Sequence, residues 1–206
     1  MYYNHYVQKL RKENFFMHLL LTDTSSIITP LNREIKLNAK DIIISRTDTQ
    51  GNILFYNKIF AKVSGYSRDE LLYAPHSILR HPDMPKAIFY LLWQQLLAGI
   101  PTKAIIKNIS KEGDHYWLTL NLTPLRDNSY KIVSFTAQGS QASQFAIDKV
   151  APLYAKILEE EKQHDMHHSI RFLSDYLIEQ NIASYNDYVH KITEKRPKGL
   201  LFPFRI

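Results

Sequence analysis

Between residues 42 and 141 the apolar pattern changes period twice, and that order of periods restricts the fold more than any other feature of the chain. Ile42 to Thr47 is β-branched and apolar, Asp48-Thr-Gln-Gly51-Asn52 is rich in turn formers, and Ile53 to Tyr56 resumes the apolar run, a β-hairpin signature. From Asn57 the spacing becomes helical through Ile59, Phe60 and Val63 until Gly65, and Ser67 with Glu70 reads as a capping box. Pro82 and Pro85 open a longer helix whose apolar residues Ile88, Phe89, Leu92, Trp93, Leu96 and Leu97 recur every three or four positions up to Gly99. Period two then returns in Lys103 to Ile109, His115 to Thr123, and about Tyr130 to Ala137. Two strands, several short helices and three strands predict an α+β domain, a five-stranded antiparallel sheet with its helices on one face. Sheet and long helix can enclose a small pocket, and Tyr116, Leu118, Leu120 and Leu122 form the face of their strand suited to line it.

Helical periodicity takes over after Gln141. Val150, Leu153, Tyr154, Ile157 and Leu158 mark one amphipathic helix, Met166, Ile170, Leu173 and Leu177 a second, and Tyr185, Tyr188, Val189 and Ile192 a weaker third. The sequence therefore divides into an N-terminal helical extension (1–28), the sheet domain (29–140) and a C-terminal helical extension (141–206), the last without a pocket of its own. With 206 residues there is room for one ordinary domain and its additions. The absence of cysteine excludes a disulfide scaffold, a thiolate nucleophile or metal ligand, and a flavin–cysteine adduct.

The net charge of +6 suggests nucleic acid, but its distribution does not. Residues 1–40 hold 6 basic and 3 acidic side chains, 41–145 hold 11 and 8, and 146–206 hold 9 and 9, so the excess forms no binding stripe. Lys195, Arg196 and Lys198 are the one dense basic cluster, read as a solvated helix end. No apolar run approaches the ~20 residues of a membrane span, and the start of the chain has no small-residue cleavage site, so a cytoplasmic protein is expected. Enzymatic motifs are missing: there is no Gly-x-Ser-x-Gly turn, no glycine-rich phosphate loop and no His-Glu-x-x-His. Glu161 and His164, beside Asp165, His167 and His168, form one Glu-x-x-His unit; a carboxylate-bridged metal centre needs two, so no metal is expected.

Arg80-His-Pro-Asp-Met-Pro85 and Gly113-Asp-His-Tyr-Trp117 resemble motifs of the sensory PAS domains of the aerotaxis-receptor type. Further matching pieces are Asn32-Arg-Glu34, Thr47-Asp48 with Gly51, Ser64-Gly-Tyr66, Lys107-Asn108 and Val150-Ala-Pro-Leu-Tyr154, so the resemblance covers roughly residues 30 to 155. It implies a PAS fold and a sensor of redox state or oxygen that binds FAD without a covalent link. Carried over by position, the cofactor-binding residues are Asn57, Arg80, His81, Asp83, Trp93 and Asn108. Arg80 and the free N–H groups of the helix after Pro82 and Pro85 would make an anion site for the diphosphate, and Asn108 would offer a donor and an acceptor to the ring. Thr102 stands where the family pattern has a tryptophan, which implies one aromatic wall fewer. Without receptor segments, such a domain would signal in trans to a chemoreceptor or other transducer, alone or as a homodimer. A cofactor-free PAS adaptor for dimerisation or docking is the alternative, and a haem sensor using His76 or His81 is a third reading.

Overall fold

The computed structural model describes residues 28–194. Strands β1 (Ile43–Thr47) and β2 (Ile53–Tyr56) form the hairpin, followed by α1 (Lys58–Ser64), α2 (Arg68–Leu71), a 3-10 turn (His76–Leu79) and the long helix α3 (Lys86–Leu97). Strands β3 (Thr102–Ile109), β4 (His115–Arg126) and β5 (Ile132–Gln141) lead into α4 (Gln144–Gln163), α5 (Met166–Glu179) and α6 (Tyr185–Thr193). The five strands make one antiparallel sheet in the order β2-β1-β5-β4-β3, as the change of period predicts. The helix expected before residue 28 and the basic cluster Lys195, Arg196 and Lys198 lie outside the described residues. Among the described residues no helix is long and apolar enough to cross a membrane.

Short polar side chains set the corners. Asp48 Oδ1 accepts the N–H groups of Gln50 and Asn52, closing the β1–β2 turn. Asn57 caps α1 by accepting from Phe60 N, and its amide donates to the Ile42 carbonyl, so the helix start is bound to the approach to β1. The capping box at Ser67 and Glu70 forms as expected. Two pieces of the family pattern meet: Arg33 pairs with Asp114 at 2.5 and 2.8 Å, tying the segment before β1 to the β3–β4 turn. Gly113 in that turn has φ +92°, and a Cβ there would lie 2.6 Å from the Thr29 carbonyl oxygen, so only glycine fits.

The inner sheet face packs against α3, with Ile88, Leu96 and Leu118 almost fully buried. The C-terminal helices do not stand apart as an extension. They cover β3, the edge strand, whose outward backbone groups would otherwise be open to pairing. Tyr154 of α4 donates to the Ile105 carbonyl at 2.7 Å, and Asn186 of α6 accepts from Lys103 N at 2.8 Å. Tyr154 also stacks on Trp117 of β4, the strand face opposite Tyr116.

The far end of α4 reaches α3. Lys86 N and Ala87 N donate to the Glu161 carboxylate at 3.0 and 2.7 Å, capping a helix that has no side-chain cap of its own. Glu161→Ala leaves these partly buried N–H groups unpaired and is expected to lower stability by about 1–2 kcal/mol in urea denaturation. A change below a few tenths would mean that water caps α3 equally well.

Candidate functional site

A cavity of about 220 Å³ lies between the inner sheet face and α3. Its walls are apolar: Phe89, Leu92 and Leu96 from α3, Ile106 from β3, Leu120 and Leu122 from β4, Phe135 from β5. Period two brings these strand residues to one side, as expected for Leu120 and Leu122. Polar groups enter from the hairpin, the 3-10 turn and β3.

Three of the six residues singled out in the sequence meet at this cavity. Arg80 is 6% exposed, and its guanidinium lies 4.2 Å from the centre of the Phe89 ring. Its backbone pairs with that of Asn108, joining the end of the 3-10 turn to β3. Asn108 is buried, and its side chain hydrogen-bonds the hydroxyl of Tyr116, its cross-strand partner. Burial pushes that phenol well above its ordinary range, so it stays protonated. Trp93 packs edge-to-face on Phe135, centroids 5.2 Å apart, at the cavity wall.

The other three do not line it. Asn57 is committed to capping α1. His81 is buried, accepts from Asp83 N at Nδ1, and faces the His115 ring 6.0 Å away. Burial, then the Lys107 charge, lowers its pKa to about 4, so at neutral pH it is an uncharged packing group. Asp83 pairs with Lys107 at 2.6 Å on the surface. The motif from Arg80 to Pro85 thus divides, Arg80 toward the cavity, His81 and Asp83 away from it.

The anion site expected at the start of α3 is corrected: the Glu161 carboxylate takes the Lys86 and Ala87 N–H groups, leaving no place there for a diphosphate. Thr102 is also placed differently. Its hydroxyl donates to Asn186, and it lines a second cavity of about 260 Å³ among α3, α5 and α6. The C-terminal helices thus share a cavity with α3 and do not enclose one by themselves, and Thr102 does not line the first cavity. Leu92 borders both.

His76 and Ser45 complete the polar side of the first cavity, with His76 Nε2 3.1 Å from Ser45 Oγ. Desolvation pushes His76 down to about 4, so its ring is neutral at pH 7. The sequence names His76 as a candidate haem ligand, and the signal for Ser45 is the alternation that sets it beside Ile43 and Thr47 on the inward face.

The strand order and the helix-roofed cavity agree with a PAS fold, and residues 53–137 match the family described as PAS fold. The sheet domain is similar to a part of the aerotaxis receptors. It is 42% identical over 112 residues to the Aerotaxis receptor of Escherichia coli, covering 54% of this chain and 22% of that protein. The Nitrogen fixation regulatory protein of Klebsiella oxytoca is 31% identical over 84 residues, 41% of this chain and 17% of its own. The chain thus spans about a fifth of the length of these relatives. Among solved structures, the dark state of the blue-light photoreceptor Aureochrome1 LOV aligns at 21% identity with a TM-score of 0.47, covering 59% of this chain and 86% of that one.

Proposed function

We propose that the cavity between the sheet and α3 holds the isoalloxazine ring of FAD without a covalent bond, and that the domain is a non-enzymatic, cytoplasmic sensor of redox state or oxygen. The observation that carries this reading is the make-up of the cavity: apolar walls, the Asn108 amide at one side, and Arg80 as the one permanently charged group among its lining residues. About 220 Å³ is below the ~300 Å³ of ordinary small-molecule pockets. It suits a flat ring system and leaves the diphosphate and adenosine outside the enclosed volume. Relatedness to the Aerotaxis receptor supports the same reading.

A bound flavin supplies a redox couple whose ring edge changes its hydrogen-bonding demand on reduction. Asn108, with a donor and an acceptor on one amide, answers that edge, and Tyr116 holds the amide from the neighbouring strand. Arg80 supplies positive charge toward the diphosphate; Trp93 and Phe135 enclose the ring. Asn108 sits on β3, the strand that Tyr154 and Asn186 grip from outside. A shift at Asn108 therefore passes along β3 to α4 and α6, and these helices present the altered surface to a transducer in trans.

The test is a reconstitution. The purified chain, mixed with FAD and desalted, is expected to keep flavin absorbance near stoichiometric, and Arg80→Ala or Asn108→Ala to lose most of it while unfolding as the parent does. Retention by neither the parent nor its variants would overturn the cofactor reading and leave the adaptor for docking or dimerisation.

A further inference from the structure

At the corner between α4 and α5, two imidazoles and a carboxylate converge. His164 ends α4 and His168 lies in the first turn of α5, with ring centroids 4.1 Å apart and planes inclined by 31°. Both Nε2 atoms approach the same oxygen, Glu160 Oε2, at 3.8 and 3.4 Å. The three donor atoms all lie within 4.8 Å of one another. A tetrahedral ion with bonds of ~2.0–2.1 Å holds its ligand atoms about 3.4 Å apart, so small side-chain movements suffice to close this set on a metal.

We propose that Glu160, His164 and His168 form a binding site for a divalent late first-row transition ion, zinc above all, with the fourth position open to water. Two neutral nitrogen donors and one carboxylate match zinc in an open three-ligand site, whereas magnesium and calcium require oxygen donors throughout. Helical geometry selects the carboxylate. Glu160 is four residues before His164 and shares its face, while Glu161 is turned toward the start of α3. Asp165 is also committed, accepting from His168 N at 2.7 Å as the N-cap of α5, which fixes the turn that carries His168. The side chains keep 26%, 49% and 47% of their surface exposed, so an ion enters directly from solvent. Bound there, it ties α4 to α5 one residue from the Glu161 cap, and this inference stands apart from the flavin reading.

The untagged chain, stripped with a chelator and titrated with zinc alone in a calorimeter, is expected to take up one ion per chain and to melt at a higher temperature with the ion present. Cobalt in its place should show the intense visible bands of a four-coordinate ion. His164→Ala and His168→Ala are each expected to weaken binding about a hundredfold or more, since loss of even an outer partner costs roughly 10- to 100-fold, and His167→Ala should leave it unchanged. No uptake of zinc, or uptake that survives both His164→Ala and His168→Ala, would overturn the proposal. All three positions are exposed or partly so, and unfolding of the apo variants at the parent's midpoint verifies that only the ion has been lost.

Discussion

Tyr154→Ala is expected to lower the free energy of unfolding by about 3–5 kcal/mol, the range for removing a large buried side chain from a well-packed site. Tyr154 is 2% exposed, stacks on Trp117 with centroids 6.4 Å apart, and donates to the Ile105 carbonyl. It also shares a hydrogen bond with the buried hydroxyl of Tyr185, so its truncation strips partners from α6 as well as β3. Burial holds Tyr154 well above its ordinary range and Tyr185 up to about 12, so both remain neutral donors under any practical condition. Tyr154→Phe keeps the stack and removes only the hydroxyl; its expected cost is about 1–3 kcal/mol, that of leaving buried polar groups unpaired. Urea titrations followed by far-ultraviolet circular dichroism and by tryptophan emission would measure both, with Trp117 as an internal reporter. If Tyr154→Ala costs less than about 1 kcal/mol, the C-terminal helices are an appendage and not part of the sheet's folding unit.

Stability is expected to fall as the pH drops from about 6.5 toward 4, with His76 as a principal cause. Its pKa is about 4 in the folded protein against 6.5 when unfolded, so within that window the unfolded chain binds the extra proton. Unfolding then becomes easier with each step down in pH, and stability is regained as the pH rises. The loss attributable to His76 is roughly 2 kcal/mol, reduced from the full shift because the ring keeps some contact with the cavity. His81, buried and also near 4, acts in the same direction over the same interval. His76→Gln keeps a polar partner for Ser45 and removes the titration. Denaturant midpoints measured from pH 7.5 to 4.5 should decline less steeply in this variant, and an unchanged slope would refute the assignment.

The sheet and the roof helix were legible because their signals are local and periodic: alternation in β3 and β4, three- and four-residue recurrence from Ile88 to Leu97, and caps at Asn57 and Ser67. Arg80, Trp93 and Asn108 were singled out together only through the family resemblance, and the structure places them at the cavity, while the family motif carried His81 and Asp83 along with them. Those two diverge from the cavity because the chain turns after His81, with Met84 N donating to the His81 carbonyl, which no motif spelling records. The Glu161 cap was hidden for a different reason. It joins positions 75 residues apart, and nothing near Lys86 or near Glu161 announces the other. The grip of Tyr154 and Asn186 on β3 is likewise a contact between distant segments, so the last helices read as an extension when they complete the edge of the sheet.

That dependence on late residues bears on how the protein is made. A nascent chain that has left the ribosome as far as Gln141 already carries every strand described here, yet Tyr154, Glu161 and Asn186 are still to come. Until they arrive, β3 offers bare amide and carbonyl groups at its margin and α3 begins uncapped, the kind of half-finished surface to which other unfinished chains adhere. Maturation of the cavity is therefore coupled to the synthesis of α4 to α6, which follow the last strand.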